Sequence, residues 1–340
     1  MNLFGEEMFG NAPLLQNLSS LLVNGRLPHA MIIEGDDGLG KTTLSRLIAS
    51  ALLCTDGIQL LCGQCVGCDK VRRNIHPDFE IITGVGKSNA IPISEIRRLH
   101  SEAYIQPNEG ECRVYLLEDC DNMQQEAQNA LLKLFEEPPG STAFILTARS
   151  SMNLLETIRS RAAVFTLLPV TPEEGMSAIR KASEGASNPP NEEQMRDALL
   201  TSSGNIGAAL SILSGDTEGN TQLMCMRLAD ALAMALCSDF EHDFLKAAAN
   251  LPTDRLQFAD VLTKLRMTLR TAVLLSAGAR EDILYPTQAA RKLSSCLTAE
   301  RLLAVIDALP QIERAVSLNI DIKNLIPTVL CSKLRQAAGK

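Results

Sequence analysis

Tryptophan is absent from this 340-residue chain and only three tyrosines occur, so aromatic side chains make up 4% of it. A free-standing nucleic-acid binder usually interleaves aromatics with Arg and Lys on a basic surface. Here 40 acidic residues outnumber 32 basic ones, for a formal charge of −8. Any contact with DNA is therefore expected to be local or shared with partner chains. No run approaches the roughly 18 apolar residues of a membrane span. The start MNLFGEEMFG has neither the basic opening nor the long apolar stretch of a signal peptide. The chain reads as cytoplasmic, with no membrane partner. In a reducing compartment its ten cysteines are expected as thiols or metal ligands, not disulfides.

What is present is apolar sequence in ordered patterns. At 340 residues and 46% apolar content the chain exceeds what one core organises, which implies two or three domains. From residue 31 to about 168, short apolar strands alternate with helical periodicity, the pattern of βαβ units and a parallel sheet. The expected strands are MII (31–33), FEII (79–82), VYLL (114–117), AFILT (143–147) and VFTLL (164–168). Between them, Leu44, Leu47, Ile48, Ala51 and Leu52 recur at helical spacing, as do Ile96, Leu99 and Ala103 in a helix that Ser94 could cap. Ala127, Ala130, Leu131, Leu134 and Phe135 form a third buried stripe, on a helix that must stop at Pro138 and Pro139. A short helix is expected through Ile158. PVTPEE (169–174) reads as a hinge, after which almost no strand signal remains. A small helical bundle is expected up to the Gly- and Ser-rich 202–220 segment, then a larger helical domain.

GDDGLGKT (35–42) follows a strand and opens a helix, the setting that gives G-x-x-x-x-G-K-[ST] its meaning. Glycines let backbone N–H groups turn toward phosphates, and the helix N-terminus adds partial positive charge. Gly35, Gly38, Gly40, Lys41, Thr42 and Thr43 are the candidate nucleotide contacts, with Lys41 on the β/γ-phosphates and Thr42 on magnesium. ATP with Mg2+ is the expected ligand. Hydrolysis also needs one strand-end acid in the magnesium shell and another to position water. Glu118 and Asp119 stand there in the reverse of the usual order, and each exchange moves a carboxylate by about an ångström, enough to matter for in-line attack. The plainer alternative is an ordinary acid pair capping a strand.

Cys54, Cys62, Cys65 and Cys68 form a C-x7-C-x2-C-x2-C array. Two x2 spacings gather three thiolates around one turn of chain, and Cys54 can close a four-sulfur tetrahedron for structural Zn2+. A redox C-x-x-C is the rival reading, for which the third evenly spaced cysteine is superfluous. Cys112, Cys120, Cys225, Cys237, Cys296 and Cys331 sit among apolar neighbours and are expected as buried thiols.

With these residues laid out, the chain resembles the clamp-loader branch of the AAA+ ATPases. The resemblance is carried by GRLPHAMIIEGDDGLGKTT (25–43), the four-cysteine module, HPDF (76–79), VYLLEDCDNM (114–123), NALLKLFEEPPGSTAFILT (129–147) and TIRSRAAVF (157–165), and loosely by SLNIDIKNLI (317–326). It implies an α/β fold: an AAA+ parallel-sheet P-loop domain over 1–168 with a zinc module at 54–68, a helical lid over 169–218, and an all-α collar over 219–340. It also implies gamma/tau and delta partner subunits in a heteropentameric ring, with the sliding clamp and primed DNA reached through that complex. Arg161 takes the place of the arginine that reaches into a neighbouring subunit's ATP site, and Thr147 that of the polar sensor near the γ-phosphate. Arg26, Pro28 and His29 fall on the adenine-side segment, although His29 reads equally as a satisfied interior histidine. Two departures stand out. The family's Ser-Arg-Cys ends here in Ala162, which removes packing volume, and Gly207 replaces a lid arginine that touches nucleotide in active members.

Three functions compete on these grounds. A stator-like loader subunit would hold Mg-ATP, turn it over slowly or not at all, and donate Arg161. An active motor subunit would hydrolyse its own ATP. A stand-alone P-loop kinase or transferase would need an acceptor site, of which the sequence carries no signature.

Overall fold

The protein is described from a computed structural model covering residues 3–5, 7–56, 60–86, 89–185, 188–280, 284–317, 322 and 330–339. Of the stretch SLNIDIKNLI, all but Ser317 and Ile322 lies outside the described residues. Contacts divide the chain into two compact units, Met1–Leu168 and Pro169–Lys340.

The first unit is a parallel sheet of β1 (Ala30–Glu34), β2 (Phe79–Ile82), β3 (Arg113–Leu117), β4 (Thr142–Ala148) and β5 (Ala163–Thr166), in the order β2-β3-β4-β1-β5. Helix α1 (Ala12–Val23) precedes β1. Crossovers carry α2 (Lys41–Leu52), α3 (Val66–Arg72), α4 (Ile93–Glu102), α5 (Gln125–Glu136) and α6 (Glu156–Arg159).

Both faces of the sheet are covered, so its strands are apolar at consecutive positions. Ala30, Ile32, Tyr115, Leu117, Phe144 and Leu146 pack with Ile96, Leu99, Leu131 and Leu134. Met31, Ile33, Val114, Leu116, Ala143 and Ile145 pack on the opposite face with Leu18, Leu44 and Ile48. Each fully buried Leu or Ile contributes roughly 1.5–3 kcal/mol. Pairing of Glu34 with Ala148 and of Leu117 with Leu146 brings the carboxyl ends of three strands level. The chain leaves β1 toward β2 on one side and β4 toward β5 on the other, which opens a crevice at that edge.

Four local expectations are corrected. The last strand stops at Thr166, because the Leu168 N–H donates to Asn11 Oδ1 (2.8 Å) and its carbonyl accepts from Asn11 Nδ2 (2.9 Å). A side-chain amide at the head of α1 thus replaces a neighbouring strand. Ser94 is not a cap: α4 begins at Ile93 behind Pro92, whose ring holds an extended entry with φ −71°. Cys296 is exposed, on the solvent side of its helix, and Cys112 and Cys237 are only half-buried. On α5, Ala130 is half-buried while its four partners in the stripe are buried, and the helix ends at Glu136, ahead of the two prolines.

The second unit contains no strand among the described residues. α7 (Pro172–Ala182) and α8 (Glu192–Ser202) each open with a capping box, Thr171 with Glu174 and Asn191 with Gln194. Such a cap contributes about 1 kcal/mol and turns the Pro-rich hinge into a helix start. With α9 (Ile206–Ser214) they enclose a small core of Met176, Ile179, Met195, Ala198, Leu199 and Ala209. A larger core joins α10 (Thr217–Leu236), α11 (Glu241–Ala249), α12 (Arg255–Ser276), α13 (Gln288–Cys296) and α14 (Ala299–Ser317) through Leu232, Phe244, Phe258, Leu265, Leu293 and Leu309. Among the described residues no helix is long and apolar enough to cross a membrane.

Within that larger core the Asp230 carboxylate accepts hydrogen bonds from the hydroxyls of Thr268 (3.3 Å) and Thr287 (3.2 Å). Burial raises its pKa, and the two hydroxyls only partly offset this. The folded state therefore holds the proton more tightly than the unfolded chain does. Its destabilising charge is present at neutral pH and is relieved as pH falls through the raised folded value toward the ordinary one. Asp230→Asn keeps the accepting oxygen and removes the charge. We expect it to raise Tm at pH 7 by a few degrees and to flatten the gain in stability on mild acidification. An unchanged Tm at both pH values would show that the carboxylate is as well solvated folded as unfolded.

Candidate functional site

The phosphate loop leaves β1 at Gly35, where φ is +148° and an added Cβ would lie 2.8 Å from the Leu167 carbonyl oxygen. Only glycine fits that approach. Gly38 and Gly40 also have positive φ, and Gly40 forms the N-cap of α2. Lys41, the first helical residue, is 6% exposed and donates to the Gly35 carbonyl at 2.7 Å and to Asp37 Oδ1 at 3.1 Å. Thr42 donates its hydroxyl to Glu118 Oε1 at 3.0 Å. Thr43 is exposed and lines a separate cavity of about 580 Å3 with Arg46, Ser50, Cys62 and Arg72.

The two strand-end acids part company. Glu118 continues the ladder, its N–H on the Ile82 carbonyl at 2.9 Å, and its carboxylate reaches Thr42. A hydroxyl and a carboxylate side by side offer hard oxygen ligands suited to magnesium. Asp119 is in the left-handed region at φ +53°, a conformation that Asp tolerates better than most residues. Its Oδ2 accepts from Asn89 Nδ2 at 2.9 Å, and its N–H donates to the buried Thr147 hydroxyl at 3.1 Å. Thr147, at the end of β4, thus ties the two strand ends together through the Asp119 backbone.

Around this centre lie groups whose roles no sequence spacing revealed. Arg149 Nη2 is 2.5 Å from Asp37 Oδ2, and its own N–H donates to Asp121 Oδ1 at 3.0 Å. Burial opposes the guanidinium charge, but Asp37, Asp121 and Asp119 outweigh it and raise the Arg149 pKa. Glu34 closes β1 by accepting from the Ser151 N–H and the Thr166 hydroxyl, both at 2.7 Å. Burial opposes ionisation of Glu34, but these bonds outweigh it and lower its pKa. At the other end of β1, His29, which the sequence offered as an adenine-side or an interior residue, is half-buried with a ring nitrogen 3.3 Å from the Phe135 carbonyl oxygen, an interior partner. In HPDF, Asp78 is buried and accepts the N–H groups of Asn108, Glu109 and Gly110 at 2.6–2.8 Å, so this motif fastens a loop.

Arg161 follows α6, 36% exposed. It donates to the Thr157 carbonyl at 3.1 Å and pairs with Glu136 Oε1, at the end of α5, at 2.8 Å. Ala162 beside it is buried in the sheet's core. Gly207 is the second residue of α9 and is half-buried.

The four expected cysteines come together. Cys54 Sγ lies 3.6 Å from Cys62 Sγ and 3.8 Å from Cys65 Sγ, and all four sulfurs are within 4.8 Å of one another. A tetrahedron with metal–sulfur bonds of about 2.3 Å requires sulfur separations of about 3.8 Å, so the set fits zinc. Backbone N–H groups point at the sulfurs: Cys65 to Cys62 at 3.3 Å, Cys68 to Cys65 at 3.4 Å and Thr55 to Cys65 at 3.5 Å. Burial opposes ionisation of Cys65, but the hydrogen bonds from Cys68 and Thr55 outweigh it and lower its pKa, while burial raises that of Cys68, so without metal one sulfur of the set is the favoured thiolate. Four sulfurs leave no open position for chemistry. Gly67 permits the closure, because a Cβ there would be 2.2 Å from the Leu53 carbonyl oxygen.

Sheet order, loop and the Thr42–Glu118 contact define a protein of the P-loop class. A family profile described as "DNA polymerase III, delta subunit" matches residues 10–171. The chain is 30% identical over 209 residues to the DNA polymerase III subunit gamma of Buchnera aphidicola subsp. Schizaphis graminum, covering 61% of this chain and 57% of that protein. It is 29% identical over 218 residues to the DNA polymerase III subunit delta' of Escherichia coli K12, covering 64% of each. These alignments span less than two thirds of the relatives' own length. A solved DNA polymerase III gamma subunit-related protein from Thermotoga maritima aligns over 94% of this chain and 99% of its own, with 16% identity and a TM-score of 0.40. Over these residues the chain is similar to the clamp-loader family of DNA polymerase III subunits.

Metal analysis after dialysis should find about one zinc per chain, lost when Cys65 and Cys68 are both replaced by Ser. The site contributes on the order of 10 kcal/mol to its module, so local protease resistance around residues 54–68 should fall with it. A dialysed protein with no metal would reduce the cluster to four thiols.

Proposed function

We propose that this chain is a delta-prime-like subunit of a DNA polymerase III clamp loader. Gamma/tau and delta subunits complete a heteropentameric ring around it, and the ATP-driven assembly places a sliding clamp on primed DNA. In this reading residues 1–168 are the AAA+ domain, 169–218 a helical lid and 219–340 the collar that joins the ring. Zinc in the four-cysteine set is structural.

The loop N–H groups and Lys41 would hold the phosphates of ATP, and Thr42 with Glu118 would hold its magnesium. Bound Mg-ATP supplies the phosphoanhydride that the ring spends. The observation that carries the stator reading is the split acid pair: Glu118 is on Thr42, whereas the Asp119 carboxylate is engaged by Asn89. A carboxylate held there is poorly placed to orient a water in line with a γ-phosphate, a task sensitive to displacements of about an ångström. Gly207, without a side chain, supplies no lid cation. Arg161 instead stands half-exposed on a surface turn, held by the Glu136 carboxylate, the Thr157 carbonyl and the Ser160 hydroxyl. It is the residue we assign to a neighbouring subunit's ATP site.

An active gamma/tau-like motor is the second reading. The intact loop and the Thr42–Glu118 bond favour it, as does the likeness to a gamma subunit.

Arg161→Ala separates the donor role from the chain's own pocket. The purified variant should bind nucleotide as the parent does. The reconstituted ring should lose DNA-stimulated ATPase, because an arginine finger contributes about 10³–10⁵-fold at the one site it serves. A ring that hydrolyses ATP at the parental rate would refute the assignment.

A further inference from the structure

The phosphate loop contains its own anion. Asp37 lies inside GDDGLGKT, and its two oxygens are divided between two cations: Oδ1 is 3.1 Å from Lys41 Nζ, and Oδ2 is 2.5 Å from Arg149 Nη2. Lys41 is almost wholly buried, and a buried ammonium requires a compensating partner. Arg149 is 67% exposed, so its pair with Asp37 is worth only about 0–1 kcal/mol and separates readily. The Arg149 backbone is fixed at the end of β4 through Asp121, which leaves the guanidinium free to pivot over the loop while its origin stays in place. A phosphate seated in the loop would bring negative oxygens to Lys41, where the Asp37 carboxylate now sits. The two anions cannot share that position, and a planar guanidinium matches phosphate as well as carboxylate.

We propose that Asp37 is an internal competitor for phosphate: it holds Lys41 and Arg149 on its carboxylate until a nucleotide displaces it, and Arg149 then becomes a phosphate-contacting cation. The ligand class is a nucleoside di- or triphosphate with magnesium, so this deepens, and rests on, the reading of the loop as a nucleotide site. A site that must first leave a latched form binds with an affinity reduced by the fraction unlatched, and a latch populated about ten to one weakens binding roughly tenfold.

Titration calorimetry of the full chain with Mg-ADP and Mg-ATPγS tests this. Asp37→Asn should tighten both ligands roughly tenfold, whereas Asp36→Asn, the same loss of charge at the exposed neighbouring position, should change them less than about twofold. Arg149→Ala should weaken binding more in the Asp37→Asn background than in the parent, because only there is the guanidinium already released to the phosphates. Equal tightening by the two Asn variants would reduce the effect to general charge and overturn the latch. Unaltered affinity in Asp37→Asn, with the parent binding normally, would overturn the latch and leave the nucleotide reading standing. If neither ligand binds the parent or Asp37→Asn, both the nucleotide reading and the latch are wrong.

Discussion

Lys41 and Arg149 at the carboxyl edge of this sheet, and Arg161 before the start of β5 at its amino edge, are held by carboxylates of the same chain, and the character of each place follows from that pairing. Lys41 and Arg149 share Asp37, and Arg161 rests on Glu136. Each is a group that a phosphate-binding protein directs at phosphate oxygens. Charges in a crevice with low-dielectric walls cannot stand alone, so the sequence supplies acids close at hand, and the strength of each pair varies with exposure. The buried Lys41 is the firmly held one, while the arginines are in contact with solvent and easily redirected.

The Thr42–Glu118 hydrogen bond fixes the geometry beside the Lys41 and Arg149 pairs. It joins the first turn of α2 to the end of β3, across a sheet whose register sets the ends of β1, β3 and β4 level. Asp119, one residue further, is turned by its left-handed backbone onto Asn89, while Thr147 fastens that turn to β4. One acid of the pair thus faces the phosphate loop and the other is bonded away from it. On the proposed reading, a loop able to hold phosphate lies beside acids poorly arranged for cleaving it, the combination expected of a subunit that lends residues to neighbours.

Much of the scaffold was legible in the sequence because it follows local rules. Apolar runs bounded by turns located all five strands, and GDDGLGKT and the cysteine spacings marked clusters that the fold assembles. The errors arose where a distant group intervened: Asn11 ended β5 from across the unit, and Pro92 started α4 ahead of Ser94. The partners of the site cations could not be read at all. Asp37 and Arg149, or Glu136 and Arg161, share no helical or strand period, since they meet only after the sheet brings β1 beside β4 and the α5 end beside the turn after α6. The Asp119 turn likewise depends on a backbone angle that no residue pattern announces. HPDF, one of the stretches that carry the family resemblance, is the clasp of a loop.

We propose that the loop holds Mg-ATP without cleaving it. A single-turnover experiment, with purified chain in excess over radiolabelled Mg-ATP, reads bound and cleaved nucleotide in one sample. The label should be retained by the protein as uncleaved triphosphate over many minutes. Rapid conversion to diphosphate by the chain alone, or no retention at all, would contradict it.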